Sequence, residues 1–404
     1  MANPVEYESS GIQNSLPPLP RIRFQEQSGV VPRLNILAPH FNRTQAFGGI
    51  VSALELAGVL SGHYRHVRFL SQAPPEPPDS SFDLASYVRD SSSKTIETGH
   101  LYDPAGVNCH QREIFFCTYW STATAWELYA EVLSRAGFQA NPFYYFIQDF
   151  EPGFYPFSYK YMRALATYSH KRKAYAIFNS RELSHHFHMQ GLEFERRAVL
   201  TPSLNPDLHA YLEQHNFRLP PKPSDRTCIL LYGRPATARN CFASIMEGLR
   251  QYLEGLEPGE RQQHMILSAG HPHDDVLLCP GALVKSVGKL PMDKYIACLG
   301  FSHIGISFMA SPHPSYPPLE MATFGLYTIT NRFGDKDISA CHKNIHSLDL
   351  PAPEALAREL ETAATWSRAT GGAAITATLP SNMSATPWRS NIEDAGISAL
   401  SPSN

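Results

Sequence analysis

Short apolar runs alternate with amphipathic stretches along most of the chain. In the first half, LNILAP, HVRFLS, REIFFCTYW, FYYFIQDF and KAYAIFNS predict buried strands. Between these runs, GGIVSALELAGVL, STATAWELYAEVLSRAG and RELSHHFHMQG place apolar residues three and four positions apart, which predicts helices. Strand, helix and strand in succession form a βαβ unit, so this half predicts a parallel sheet covered by helices.

The same alternation returns after a proline-rich stretch at 201–226, which we interpret as an interdomain connection. TCILLYG, QHMILSAG, HIGISFMAS and LYTITN predict strands, and CFASIMEGLRQYLEGL, MDKYIACLGFS and LEMATFG predict helices. We therefore expect an α/β protein of two doubly wound, Rossmann-like domains that face each other across a cleft. The expected segments are a flexible arm at 1–30, domains at 31–205 and 206–368, and a disordered tail at 369–404.

Composition narrows the class of protein. The 34 Lys and Arg residues against 37 Asp and Glu residues exclude a general nucleic-acid binder, which would show a basic excess. Seven scattered cysteines without CxxC spacing indicate free thiols in a reducing compartment, and hence a cytoplasmic protein. No stretch reaches the roughly 18 apolar residues that span a bilayer. The basic run at 171–173 leaves peripheral contact with a membrane surface open.

Gly48 and Gly49 follow the first strand and begin a predicted helix. Two glycines there let backbone N–H groups approach a phosphate at the helix N-terminus. A tight turn explains them equally well. The pattern is not GxGxxG, and no ribose-binding acid follows the second strand, which argues against a nicotinamide enzyme.

Arg234 and Arg239 lie in the turn LLYGRPATARN, after the first strand of the second domain. Guanidinium groups bind phosphate oxygens through two hydrogen bonds and stay charged at any cellular pH. We expect this pair to neutralise a diphosphate leaving group. Solvated loop arginines are the alternative.

Gln148, Asp149 and Glu151 come at the end of the strand FYYFIQDF, where α/β domains present working groups. A helix-capping or turn acid is the alternative for the two carboxylates. The histidine-rich segments at 185–188 and 271–275 raise a metal hypothesis, but no acid-rich motif accompanies them, so no metal is expected.

Glu320 is the one carboxylate in SPHPSYPPLEMATFG. Pro317 and Pro318 suit the start of a helix, because the missing N–H groups would be unpaired there. Glu320 then falls in the first turn, where the helix dipole favours an anion. A carboxylate at the cleft could also accept both hydroxyls of a ribose.

These motifs together resemble the retaining, GT4-like glycosyltransferases of the GT-B fold. GRPATARN is similar to the family's GRLVPEKG-like loop, with Arg234 at the family arginine and Arg239 at the usual lysine. PHPSYPPLEMATFG is similar to EGFGLVLLEAMACG, so Glu320 matches the second glutamate, which typically binds the ribose. Pro312 stands at the first glutamate, which removes a carboxylate contact to the sugar.

The altered loop and YFIQDFEPGFYP look more specifically like the WsaF-like, dTDP-L-rhamnose-dependent rhamnosyltransferases of bacterial surface glycan assembly. This resemblance implies a nucleotide-sugar donor, a glycan or lipid-linked glycan acceptor, transfer with retention and no cofactor. It implies that Gly48, Gly49 and both arginines contact the donor phosphates and that Gln148, Asp149 or Glu151 position the acceptor. It also implies further donor contacts from Gly288, Lys289, Leu290, Ser315 and Tyr316.

Two rival functions stay open at this stage. One is a nucleotide-sugar epimerase or hydrolase on the same fold, which would consume the donor without an acceptor. The other is an inactive nucleotide-sugar-binding scaffold, to which the missing first glutamate gives some weight.

Overall fold

Two seven-stranded sheets form the centres of two domains in the described part of the chain. The computed structural model describes residues 19–43, 48–74, 77, 80–170, 173–370, 375–386, 388–397 and 399. The predicted α/β class is confirmed, because each sheet is almost entirely parallel and its strands alternate with helices along the chain.

The N-terminal domain contains a sheet in the order β4-β3-β2-β6-β7-β8-β9, in which every pair is parallel. The strands of the whole domain are β1 (Ile22–Phe24), β2 (Arg33–Ala38), β3 (His66–Ser71), β4 (Thr95–His100), β5 (Val107–Cys109), β6 (Glu113–Cys117), β7 (Phe143–Ile147), β8 (Ala174–Phe178) and β9 (Arg196–Val199). Its helices are α1 (Gly48–Ser61), α2 (Leu84–Tyr87), α3 (Trp120–Arg135), α4 (Tyr159–Ala166) and α5 (Arg181–Met189).

The C-terminal domain contains a sheet in the order β13-β14-β12-β11-β15-β16-β17, parallel except for the antiparallel edge strand β13. The strands in this half are β10 (Arg218–Leu219), β11 (Thr227–Gly233), β12 (His264–Gly270), β13 (Val276–Cys279), β14 (Ala282–Gly288), β15 (Ile304–Ile306), β16 (Tyr327–Asn331), β17 (Ile345–Leu348) and β18 (Ile375–Thr376). The helices are α6 (Pro206–Gln214), α7 (Phe242–Glu254), α8 (Pro258–Arg261), α9 (Met292–Phe301), α10 (Pro317–Thr323), α11 (Pro353–Thr370) and α12 (Trp388–Asp394).

Both sheets are buried on both faces, which is why their strands read as continuous apolar runs. In β2, Leu34 and Ile36 pack into the core beneath α1, whereas Leu37 packs on the opposite face beneath α3. The two faces of the C-terminal sheet carry separate cores in the same way. The strands of both sheets are thus fixed between packed layers, and their carboxyl ends face the same cleft.

The stretch 201–226 is more than an interdomain connection. It contains α6, whose Leu208 and Leu212 are fully buried in the C-terminal core, together with the short strand β10. Asn205 caps α6 by accepting a hydrogen bond from the Asp207 N–H at 2.9 Å, and Pro206 occupies the first turn.

The expected disorder at the two ends of the chain is wrong for the residues that the structure describes. In the N-terminal arm, β1 pairs in parallel with β5. In the tail, β18 pairs with β10, and α12 packs against α1 through the fully buried Ile392. Partners elsewhere in the chain order these segments. Each segment is too short and too poor in apolar residues to be recognised from its own sequence. The rest of both predicted segments, at 1–18, 371–374, 387, 398 and 400–404, lies outside the described residues.

Candidate active site

The two domains touch across the cleft through Asp149. This residue follows β7, and one of its carboxylate oxygens accepts hydrogen bonds from the Ser311 hydroxyl and, at 2.8 Å, from the Phe150 N–H. The other oxygen lies 3.7 Å from Nε of Arg239. Asp149 of the N-terminal domain thus meets two residues of the C-terminal domain, at the carboxyl ends of β7, β11 and β15.

Arg239 lies on the cleft surface, as the sequence predicts. Its guanidinium group stacks on the ring of Phe154, 4.1 Å from the ring centroid. Its Nε is buried and makes no hydrogen bond to the described residues. Arg239 therefore has donor capacity left for an anion after its contacts with Asp149 and Phe154 are counted.

Arg234 belongs to a second cationic group at the ends of three adjacent strands. It follows β11, His271 follows β12 and Lys289 follows β14. Nη2 of Arg234 lies 3.3 Å from Nε2 of His271, and the backbone N–H of His271 donates to Gly233 O at 2.9 Å. Burial, followed by the charges of Arg234 and Lys289, lowers the pKa of His271. The imidazole is therefore neutral near pH 7 and accepts from the guanidinium through Nε2.

Glycines bring these three strand ends close together. A Cβ atom on Gly270 would lie 2.2 Å from Gly233 O. Gly288 has a φ of 61° and ends β14 beside Pro272. The predicted segment Gly288, Lys289 and Leu290 is thus next to the Arg234 loop, and Leu290 packs on the C-terminal core.

Glu320 lies in the first turn of α10 and accepts a hydrogen bond from the hydroxyl of Tyr295 at 2.9 Å. Burial raises the pKa of Glu320 to about 7, although the hydrogen bond from Tyr295 lowers it. The charges of Arg234 and of Glu320 both act on the neighbouring Tyr232. Arg234 and Glu320 thus both act on the residue that precedes the last residue of β11, and Glu320 is held at the start of α10 by Tyr295.

The loop before α10 differs in detail from the expectation. Ser315 adopts a φ of 69°, and its backbone N–H donates to Nδ1 of His313 at 3.0 Å. This N–H is therefore already used inside the loop, and the Ser315 hydroxyl is the group left for the predicted donor contact. Tyr316 reaches the other domain, where its hydroxyl hydrogen-bonds to the side chain of Ser52, and burial raises its pKa to about 12.

Gly48 and Gly49 begin α1, as predicted. A Cβ atom on Gly49 would lie 2.4 Å from Oε1 of Gln148, so the amide at the end of that side chain packs directly on the glycine. Nε2 of Gln148 donates to Thr118 O at 3.0 Å. Gln148 is therefore held over the start of α1, between the glycine pair and Asp149.

The side chain of Glu151 is almost fully buried and accepts from the Trp120 N–H at 2.6 Å, at the start of α3. This contact matches the helix-capping alternative. Burial raises the pKa of Glu151 well above its usual range, and the charges of Asp149 and Arg239 also act on it. Glu151 therefore caps α3 from a buried position near the Asp149–Arg239 contact.

Two buried polar residues near Asp149 were not found from the sequence. His313 accepts at Nδ1, so the proton of the neutral ring is on Nε2, which is buried without a hydrogen-bond partner among the described residues. Nζ of Lys336 donates to Met309 O at 2.8 Å, and burial lowers the pKa of Lys336 to about 8. Neither residue had a signal in the sequence. A third residue of the cleft, His271, did have one, because it directly follows a strand, as Arg234 does.

The histidine-rich segments make other contacts in the described part of the chain. His188 pairs with Glu193, and His273 contacts the hydroxyl of Ser268 through Nε2 at 2.7 Å. Across the described ranges, no group of three or more His, Cys, Asp or Glu residues is arranged to hold a metal ion. Within those same ranges, no helix is both long and apolar enough to cross a bilayer.

Two solved structures share this architecture. Sucrose-phosphate synthase from Thermosynechococcus elongatus is 13% identical, with a TM-score of 0.55 over 90% of this chain and 95% of that one. Anabaena Alr3699/HepE, solved in complex with UDP and glucose, is 13% identical, with a TM-score of 0.53 over 83% of this chain and 91% of that one. At this identity the similarity establishes the fold, which is GT-B with two Rossmann-like domains.

Sequence comparison identifies the family. The O-antigen biosynthesis protein RfbC of Myxococcus xanthus is 32% identical over 211 residues, which are 52% of this chain and 15% of that protein. The model for the WsaF N-terminal domain matches residues 33–181, and the model for the WsaF C-terminal domain matches residues 227–361. Since these two models match more than half of the 404 residues, in order and one in each domain, the chain belongs to the WsaF-like GT-B glycosyltransferases.

Proposed function

We propose that this protein transfers a sugar from a nucleoside diphosphate to a glycan hydroxyl during surface polysaccharide assembly. The observation that carries the proposal is the group formed by Arg234, His271 and Lys289 at three adjacent strand ends of a GT-B cleft, with Glu320 at the start of α10 in the same domain. Cations next to a carboxylate suit a diphosphate joined to a ribose. The RfbC similarity supports O-antigen or related glycans as the product class.

The proposed donor is dTDP-L-rhamnose, and the proposed transfer is of L-rhamnose with retention of configuration. Support comes from membership of the WsaF family and from Pro312, which stands where a sugar-binding glutamate is usual. A 6-deoxy sugar needs fewer polar partners. Arg234, Arg239 and the start of α1 at Gly48 and Gly49 would bind the diphosphate.

The proposed reaction forms a bond from the acceptor oxygen to C1 of the sugar while the bond from C1 to the β-phosphate oxygen breaks. Negative charge then grows on the leaving nucleoside diphosphate, and preorganised cations stabilise that charge most effectively. Arg234, Lys289 and Arg239 supply three positive charges there. The acceptor proton passes to the departing phosphate oxygen, and Asp149 orients the acceptor hydroxyl.

We propose that the reaction needs no divalent metal, because these side chains already supply the charge that a metal would supply. Calorimetric titration of EDTA-treated protein with dTDP, UDP and GDP, and then with dTDP-L-rhamnose, tests this proposal. We expect metal-free binding of dTDP, with weaker binding of UDP and GDP. A preference for UDP or GDP would retain the glycosyltransferase and discard rhamnose.

The same samples separate the rival functions. An epimerase or hydrolase would consume the donor in the absence of an acceptor at a rate that no glycan increases. An inactive scaffold would bind the donor and leave it intact with every glycan tried. Failure to bind any of the three nucleotides would contradict the assignment of the cleft as a donor site.

We propose a cytoplasmic location with peripheral contact to an anionic membrane surface. Phe157, Met162 and Tyr159 expose 92%, 70% and 54% of their surface within six residues, and the cation Lys160 is in the same segment. Of the predicted basic run at 171–173, residues 171 and 172 lie outside the described residues. Exposed aromatic and apolar side chains beside lysines suit an anionic lipid surface. Flotation with phosphatidylglycerol vesicles should fail for the Phe157→Ser, Met162→Ser double variant, and equal flotation of both proteins would contradict this contact.

A further inference from the structure

A second cavity opens between the domains, on the side of the cleft away from the Arg234 group. It encloses about 200 Å³ between α5 and the connection from β16 to β17. Six of the residues around it carry the argument: Arg181, His186, Pro312, Phe333, Asp335 and Lys336. Both domains contribute walls, so the cavity exists only when the two domains face each other.

The cavity leads to Asp149. One of its lining residues, Pro312, directly follows Ser311, the hydrogen-bond partner of Asp149. The charge of Asp149 also acts on two lining residues, His186 and Lys336, and raises the pKa of each against the effect of burial. A molecule in this cavity would therefore be adjacent to the carboxylate that faces Arg239.

The lining does not suit a second diphosphate. The positive charges of Arg181 and Lys336 are balanced by the nearby carboxylates of Glu182 and Asp335. The remaining lining carboxylate, Asp337, is paired with Arg332 at 2.8 Å. The Arg234 group, by contrast, brings together cations that favour an anion. A ligand of this cavity is therefore expected to be neutral.

The side chains around the cavity combine ring faces with hydrogen-bonding groups. The rings of His186 and Phe333 have centroids 6.3 Å apart, inclined at 53°. Arg181 offers donors and Asp335 offers acceptors, and both are exposed to solvent. A sugar ring has the matching chemistry, because its C–H faces pack on aromatic rings while its hydroxyls both donate and accept. The volume of the cavity is well below that of the pockets that hold drug-sized ligands, which favours a single sugar unit.

We propose that this cavity binds the acceptor, with one neutral sugar unit packed against the mutually inclined rings of His186 and Phe333 and its hydroxyls on Asp335 and Arg181. The proposal rests on the proposed function, since it assigns the second substrate of the same transfer. The reacting hydroxyl then points past Pro312 toward Asp149. The donor would occupy the strand ends at β11, β12 and β14, so the two substrates meet at the Asp149–Arg239 contact.

Saturation-transfer NMR on the full chain tests the assignment. The probes are methyl α-L-rhamnopyranoside, methyl α-D-glucopyranoside, methyl α-D-mannopyranoside and methyl β-D-galactopyranoside, each with and without saturating dTDP. We expect at least one glycoside to bind, and Phe333→Ala and Asp335→Asn each to weaken that binding by roughly tenfold. Asp293→Asn, which changes an exposed carboxylate on α9, is the matched control and should bind as the parent does.

Two results would overturn the assignment: no glycoside binding by the parent protein in either state, or the same binding in the two cavity variants as in the parent. Circular dichroism confirms that the variants are folded, and calorimetry with dTDP checks the donor site on the same samples. Loss of glycoside binding with normal dTDP binding supports the acceptor cavity. Absent nucleotide binding alongside variant-sensitive glycoside binding would contradict the proposed function and leave the sugar site intact.

Discussion

Glu320 shows how burial sets the chemistry of a single residue in this cleft. Its carboxyl group, in the first turn of α10, is shielded from water, and the hydrogen bond from Tyr295 does not offset that loss. The pKa of about 7 places its ionisation within the physiological range. A ribose would supply two further donors to the ionised form, so donor binding and ionisation of Glu320 should be linked.

We predict that the affinity for dTDP-L-rhamnose falls about tenfold from pH 8 to pH 6, because most of Glu320 becomes protonated over that interval. The donor is a diphosphate diester, so its own charge does not change there. Glu320→Gln should bind more weakly at pH 8 and lose most of the pH dependence in calorimetric titrations. A parent protein whose affinity does not change between these two pH values would contradict the ribose assignment.

The raised pKa of Glu320 also predicts the sign of its effect on stability. The folded state holds the proton more tightly than the unfolded state, so the stabilising contribution is full below the unfolded pKa and is lost as the pH rises through about 7. Glu320→Gln should therefore be at least as stable as the parent at pH 8. Urea unfolding of both proteins at pH 5 and pH 8 measures the difference.

Arg239 is predicted to matter for turnover far more than for folding. Arg239→Ala removes a cation from the leaving group and should lower kcat on the order of 10²–10³-fold. Its contact with Asp149 is a long, partly exposed ion pair, so the free energy of unfolding should change by about 1 kcal/mol or less. Arg226→Ala, which removes an exposed arginine paired with Asp225, is the control. Normal turnover by Arg239→Ala would contradict its assignment to the phosphate.

At the scale of elements, the repeating strands and helices could be predicted because each carries its own signal. The strands β7 and β8 are buried on both faces and read as apolar runs, and α1 begins at the predicted glycine pair. Helix α12 gave no such signal, since it has seven residues and depends on α1 for order. The sequence could also not distinguish the positions of Asp149 and Glu151. The irregular turn after β7 places the Asp149 carboxylate at the contact between the domains and the Glu151 carboxylate at the start of α3.

The turn that starts α1 gives a prediction at this scale. Gly49→Ala would place a Cβ atom 2.4 Å from Oε1 of Gln148, so either the helix start or the amide must move. Because the obstructing atom ends a flexible side chain, the cost is a new Gln148 rotamer and the loss of its hydrogen bond to Thr118 O. We therefore expect a loss of about 0.5–1.5 kcal/mol in the free energy of unfolding, measured in urea. Removing the obstruction in the double variant Gly49→Ala, Gln148→Ala should recover much of that loss. Strictly additive effects of the two substitutions would show that the contact is not what requires the glycine.

At the scale of the whole molecule, the chain links its two domains more than once. After α11 completes the C-terminal domain, the chain returns to the N-terminal domain, where α12 packs against α1. Nε1 of Trp388 donates to Ser52 O at 3.3 Å, and Arg389 lies 3.3 Å from Glu55. Because Ser52 also contacts Tyr316 across the cleft, α12 braces the helix on which the two domains meet.

Ile392 tests whether the returning helix is part of the N-terminal core. Its side chain is fully buried among residues of that core, so Ile392→Ala should cost about 2–5 kcal/mol in the free energy of unfolding. Leu350→Ala is the matched control, since Leu350 is 66% exposed and its loss should change stability by less than about 0.5 kcal/mol. Urea unfolding followed by tryptophan fluorescence measures both variants. If Ile392→Ala unfolds as Leu350→Ala does, then α12 contributes nothing to the N-terminal domain, and the Trp388 and Arg389 contacts cannot brace the cleft.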